Sequence, residues 1–326
     1  MRTSAALRSA TVLAAASALW SAPVRADDAP KEPEKIELKL SVKKGDVFRF
    51  RQKSHVDQTV KIGEMDIAST VEMTQAMTYS VDAVRENGLT NVKVAIGDIK
   101  GTFENSMIGT FEFDSSKADD ASGNPMIGQA LKGLTFLANK TYTVSFDARG
   151  RLVEVHGMKE IIEQALSSDP AFANMGIGGL LDDEGMKQQM QGQFAMFSDG
   201  PVAVGSKWSV DSTVKSPVEM KMTTEYTLAS ADDAKAVVRS KSSVVTTDKS
   251  GAAKPGTSVE GTITVSRADG LMLKSETKAT TDTDMAMPTG AAGGAGGPAG
   301  GQKLHISMTA TVTIDRVTGD DAKPAP

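Results

Sequence analysis

The side chains in this sequence that combine metal ligation with proton transfer near neutral pH are three histidines, His55, His156 and His305. A histidine metal site needs ligands that converge, and none of these three stands in an H-x-H, H-E-x-x-H or His/Cys spacing. They are expected to be ordinary surface or boundary residues. Seventeen methionines offer a second chemistry. Met220-Lys221-Met222 and Met285-Ala286-Met287 are M-x-M pairs, whose thioethers suit a soft Cu(I) ion. In an extended chain both sulfurs of such a pair fall on one face, so filling irregular gaps in a core, or lining an adaptable apolar groove, accounts for them without copper. The acidic groups Asp114 to Asp120, Asp182-Asp183-Glu184 and Asp282-x-Asp284 lack the D-x-[DN]-x-[DN]-G calcium loop and read as solvated turns. Gly176-x-Gly178-Gly179 misses both the dinucleotide fingerprint and the phosphate loop, and Gly205-Ser206 is not part of a G-x-S-x-G elbow. The expectation is no enzyme, with no catalytic, cofactor-binding or metal residues and no cofactor.

The elements that would carry any site are mostly strands. Ile36, Leu38, Leu40 and Val42 alternate with polar residues, and Lys43-Lys44-Gly45-Asp46 turns the chain into an alternating Val47 to Arg51. Val56, Val60 and Ile62 continue the pattern. So do Met77 to Ala83 and Val92 to Ile96, separated by an Asn87-Gly88 turn, and Tyr142 to Val155 around Asp147-Ala148-Arg149-Gly150. Leu304, Ile306, Met308, Ala310, Val312 and Ile314 give the clearest strand, with a threonine-rich wet face. Between residues 157 and 198 the period changes. Met158, Ile161, Ile162, Ala165 and Leu166 follow helical spacing up to Asp169-Pro170, and Met186, Met190, Phe194 and Phe197 form a second helical stripe. Residues 174–179 are read as their connecting loop.

A weak repeat flanks this helical stretch. Val42 to Phe48 parallels Val202 to Trp208, Tyr79 to Gly97 parallels Tyr226 to Val244, and Tyr142 to Gly157 parallels Thr262 to Thr277. The expected fold is mainly β (α+β), two related curved antiparallel β-meanders with a helical insertion between them. The expected boundaries are a signal peptide at 1–26, a flexible leader at 27–35, a first meander at 36–156, a helical segment at 157–198, a second meander at 199–317 and a disordered tail at 318–326. The second meander contains a Gly/Ala-rich loop at 289–302.

Compartment follows from the first residues. Arg2 and Arg8 precede a short apolar run from Ala10 to Trp20, and Val24-Arg25-Ala26 fits an A-x-A-like cleavage site. Loss of Arg2, Arg8 and Arg25 removes three positive charges and takes the net charge from −5 to −8. An acidic surface does not suit a nucleic-acid partner, and the apolar run is too short for a transmembrane span. With no cysteine, neither a lipid-anchoring Cys nor a disulfide framework is available, so stability must come from burial. The expected location is periplasmic or extracellular.

Lys39 to Phe50 (KLSVKKGDVFRF), Tyr142 to Gly157 (YTVSFDARGRLVEVHG) and Gly200 to Trp208 (GPVAVGSKW) resemble an uncharacterised family of exported bacterial β-rich proteins, a domain of unknown function. The layout is also similar, at the level of fold, to periplasmic lipoprotein-carrier proteins, in which a curved sheet wraps an apolar cavity. The resemblance implies no catalytic residues, and the amphipathic segment 157–198, placed where it could cap a sheet, gives the expectation of a non-enzymatic envelope protein that binds a hydrophobic small molecule or lipid on a concave apolar sheet surface. Its expected lining is Met158, Ile161, Ile162, Met186, Met190, Phe194 and Phe197. The alternative is an envelope scaffold or protein-interaction module that binds an envelope protein through strand edges, without a ligand pocket.

Overall fold

The computed structural model describes residues 34–117, 132, 135–168, 187, 196–214, 220–247, 253–286 and 303–318. The segments expected as a signal peptide (1–26), a connecting loop (174–179) and a Gly/Ala-rich loop (289–302), residues Met186, Met190 and Phe194, and most of the expected tail at 318–326 lie outside the described residues.

The mainly β, antiparallel expectation holds. The strands are β1 (Lys35–Ile36), β2 (Val47–Ile62), β3 (Met65–Val84), β4 (Thr90–Asn105), β5 (Gly109–Asp114), β6 (Thr141–Phe146) and β7 (Leu152–His156), followed after the helix by β8 (Val202–Ala203), β9 (Lys207–Val214), β10 (Met220–Ala231), β11 (Lys235–Thr247), β12 (Ala253–Ser266), β13 (Met272–Ala286) and β14 (Lys303–Val317). Twelve of them form one open sheet in the order β7-β6-β4-β3-β2-β14-β13-β12-β11-β10-β9, with β5 beside the far half of β4. The two meanders are therefore one surface, joined where β14 pairs along β2 from Val317↔Arg49 to Leu304↔Ile62.

Helix α1 (Met158–Ser168) follows β7, between the two meanders in sequence. Met158, Ile161 and Ile162 of its stripe are buried and Ala165 and Leu166 half-buried, with Met158 at 0% exposure in a core with Phe48, Phe50, Val92 and Val155. A second core holds Ile36, Leu38, Met196 and Phe197 against Tyr226, Leu228, Val238 and Val265.

Residues 35–42 tie the two cores together. β1 pairs with β8, Ile36 and Leu38 enter the second core, and Leu40 and Val42 pack on the first. Midway, the Ser41 N–H donates to the Asp269 carbonyl at 2.8 Å. Asp269 in turn accepts a 2.7 Å bond from the Arg316 guanidinium, which lies 4.5 Å above the Phe48 ring. Gly270 closes this junction at φ 74°, with no room for a Cβ beside the Lys39 carbonyl.

Several local geometries recur in the two halves. The Gly45 N–H donates to the Val81 carbonyl, the Val81 N–H to Asp46 and the Asp46 N–H to Lys43. Gly205, Leu228, Ser206 and Ala203 make the same three bonds. The β3–β4 register shifts between Val81 and Ala83, and the β10–β11 register between Leu228 and Ser230. The β6–β7 and β12–β13 hairpins both shift immediately before their turns.

Candidate functional site

Side chains opposite one another across an antiparallel sheet share a face, so the register alone sorts this sheet into two chemically different sides. Phe48, Phe50, Val56 and Val60 of β2 share a face with Ile67, Val71 and Met77 of β3 and with Ile306, Met308 and Ala310 of β14. Arg49, Arg51, Lys53, His55, Asp57 and Lys61 point the other way, with Glu72, Asp66 and His305.

On the apolar side, α1 and the residue 35–42 segment cover the end nearest the β6–β7 and β12–β13 turns, and Leu137 and Ala138 pack with Phe103 against a third core of Ile96, Ile99 and Phe113. Farther out, two apolar rows cross the strands. One runs Ala279, Ala310, Val56, Val71, Phe103, Phe111, and the other Ile306, Val60, Ile67. All of these are half-buried. Between the rows lie Met308 and Gln58, beside Ser69, whose hydroxyl accepts a 2.8 Å bond from the Asn105 amide. At about 3.4 Å per residue, the rows through Val56 and Val60 lie about 13.6 Å apart, and a chain of methylenes could lie along either one. Toward β10–β13 the same side becomes hydroxyl-lined, with Thr224 bonded to Ser242 and Thr257 to Thr281, each at 2.8 Å. The rim carries two exposed methionines, Met65 at 51% and Met107 at 64%.

Of the residues that the sequence puts forward as an apolar lining, Met158 and Ile161 lie in the first core, Ile162 is buried beside them on α1, and Phe197 is in the second core. They are not gathered into one surface. The half-buried rows were present in the sequence only as strand alternation. A sharper signal would have been the stacking of Val56, Val71 and Ala310, and that needs the register.

The charged side holds a cleft of about 590 Å³ across β10 to β14, lined by Glu225, Arg239, Lys241, Glu260, Glu276 and Lys278 among others. Opposite charges alternate across it, with Lys207 bonded to Glu225 at 3.0 Å and Lys241 to Glu260 at 3.2 Å. On the same side His55 sits between Asp57 at 2.9 Å and Glu72 at 3.3 Å, and His305 lies 3.0 Å from Asp284. The Asp57 hydrogen bond, above all, raises the His55 pKa above its ordinary value. Asp57 is itself lowered, chiefly by the Thr70 hydroxyl and then by His55. Asp114 falls to about 2, led by its bond from the Ser116 hydroxyl, with Lys100 at 3.1 Å adding to it. Burial pushes Tyr79 and Tyr226 up to about 12. Trp208 stacks on Tyr226 at 5.7 Å, and its buried indole nitrogen has no hydrogen-bond partner among the described residues. No three His, Asp or Glu side chains among the described residues are grouped to hold a metal ion, and no described helix is long and apolar enough to cross a membrane.

No curated protein matches this chain. Among solved structures, it is similar to one of lipid–protein interactions in lipovitellin, at 8% identity and a TM-score of 0.47, covering 88% of this chain. The chain spans about a quarter of that protein's length, 26%. DynF from the dynemicin biosynthesis pathway of Micromonospora chersina matches at 8% identity and a TM-score of 0.23, covering 93% of this chain and 96% of its own. OccK7 of Pseudomonas aeruginosa matches at 6% and 0.25, covering 84% of this chain and 99% of its own. The sequence itself is matched from residue 87 to 282, through β4 to β13 and hence through most of both meanders, by a family described as of unknown function (DUF6263), and the chain belongs to that family.

Proposed function

We propose that this is a non-enzymatic envelope protein, released by cleavage after residue 26, that holds an acyl-chain ligand on the far apolar side of β14, β2, β3, β4 and β5. The observation that carries this reading is the pair of half-buried rows through Val56 and Val60, continuous across neighbouring strands and left beyond the reach of α1. A core side chain at full burial gains about 1.5 to 3 kcal/mol over exposure, and these rows stop short of that until something apolar covers them. A pleated surface of Val, Ile, Ala and Met binds by area and sets no polar specificity, which suits a lipid chain better than a polar metabolite. The two meanders are read as copies of one unit, with the recurrent turn bonds at Gly45 and Gly205 as support.

The test uses residues 27–326 and cis-parinaric acid, a fluorescent fatty acid. Saturable binding is expected, and Val56→Thr with Val71→Thr, which keep shape and strand preference, should weaken it by about tenfold, roughly 1.4 kcal/mol. Absence of saturable binding, or equal affinity in the double variant, would refute the reading. Native mass spectrometry of protein taken from its own envelope would identify the chain carried.

A second reading, an interaction module without a pocket, is favoured by one observation. The outer edge of β9 has no strand beside it among the described residues.

A further inference from the structure

The sheet ends at β9, and β9 is built like β2. Both follow a glycine turn with the same three backbone bonds, both carry an aromatic three residues after that glycine, Phe48 and Trp208, and both pair with the strand that follows. They differ on the other side. Along β2 that edge is filled by antiparallel β14, whereas along β9 no described strand fills it.

The chemistry of the open edge is permissive. Lys207–Val214 contains no proline, glycine or bulge, the usual devices that stop an edge from pairing. Its two charged side chains are turned back onto β10, Lys207 to Glu225 at 3.0 Å and Asp211 to the Thr223 hydroxyl at 2.7 Å. The backbone direction can be worked out. Leu228 donates to the Ser206 carbonyl, so Ser206, Trp208, Val210 and Ser212 form the hydrogen-bonded pairs with β10. The N–H and C=O groups of Lys207, Ser209, Asp211 and Thr213 therefore point away from the sheet.

The occupant that fits is the same strand of a second copy. Laid antiparallel about a twofold axis at Val210, the sequence KWSVDSTV sets Ser209 opposite Asp211, Lys207 opposite Thr213, Trp208 opposite Ser212 and Val210 opposite itself. No like charges face each other, and all four outward residues exchange bonds in register. We propose that two copies of this chain associate through β9, antiparallel and centred on Val210, to give one sheet running through both subunits. A twofold axis normal to the sheet keeps the apolar sides together, so Trp208 and Val210 of each copy continue the apolar side of the other. This pairing stands on backbone geometry and is independent of what the apolar side binds.

Sedimentation velocity on residues 27–326 tests it. A dimer is expected. Ser209→Pro removes an outward N–H and leaves the β9–β10 bonds in place, so it should raise the dissociation constant by about tenfold or more with the circular dichroism spectrum unchanged. If that variant does not fold, cysteine scanning decides, since the native chain has no cysteine. Val210→Cys should crosslink to a dimer on mild oxidation, because the two Cβ atoms meet, and Lys207→Cys should not, since its copies lie at opposite ends of the strand. A monomer, a species larger than a dimer, a dimer indifferent to Ser209→Pro, or crosslinking of the Lys207→Cys variant in preference to the Val210→Cys variant overturns the proposal. Fatty-acid binding that persists in a monomeric variant separates this interface from the ligand reading.

Discussion

His55 is held by two carboxylates on neighbouring strands, and the consequence is electrostatic. Asp57, on the same strand, accepts from the imidazole at 2.9 Å, and Glu72 lies 3.3 Å from the other ring nitrogen. Both favour the imidazolium, and the pKa rises above the ordinary 6.5. A group whose pKa is raised by folding stabilises the fold fully below its unfolded value, and that contribution fades as pH rises through the folded value. NMR titration of the His55 ring is therefore expected to give a pKa above 6.5, and Asp57→Asn should bring it down. Added salt should shrink the shift, because the side chain is 46% exposed and the pair is open to screening. An unshifted ring in the wild type would contradict the geometry. The sequence disclosed no such grouping: His55 and Asp57 are two apart, but Glu72 joins them only through the β2–β3 register.

At the scale of elements, the junction of residues 35–42 with the β12–β13 turn is a close backbone approach. Gly270 has φ 74° and its missing Cβ would overlap the Lys39 carbonyl oxygen, so Gly270→Ala combines left-handed strain with a backbone clash. A loss of about 3 kcal/mol is expected. Gly63→Ala, at φ 63° but in open space, should cost only about 1 to 2 kcal/mol. Chemical denaturation of the two variants measures both, and equal losses would show that contact with Lys39 does not matter. Strand β14 was legible because its six apolar residues alternate without a break, and α1 was legible because Met158, Ile161, Ile162 and Ala165 recur at helical spacing up to Asp169-Pro170. β5 was not: Gly109–Asp114 is short and set by its pairing with β4. The part of the candidate lining that the structure describes went into the cores for a physical reason. A helical apolar stripe looks the same whether it faces a ligand or a sheet, and Met158 and Ile161 face the sheet.

Across the whole molecule, alternation fixes which side of a strand is apolar and leaves open which strand lies next to it. That is why two meanders could be read from the sequence while the β2–β14 seam joining them could not. The seam, with Ile36 and Leu38 in one core and Leu40 in the other, makes the halves depend on each other. A chain beginning at residue 27 has Trp208 as its sole tryptophan, placed against the second core. Its fluorescence should lose native character at the same denaturant concentration as far-UV circular dichroism, which reports on the entire sheet, and Leu38→Ala should move both midpoints together. Separate midpoints would mean that the halves unfold independently. The seam also bears on how the protein comes into being. Its second strand pairs with its last, and Ser41 waits for Asp269, so a nascent chain emerging amino end first cannot complete this architecture until residue 317 has arrived. Closure across such sequence separations is slow, so the polypeptide lacks its finished sheet for most of the time it takes to appear.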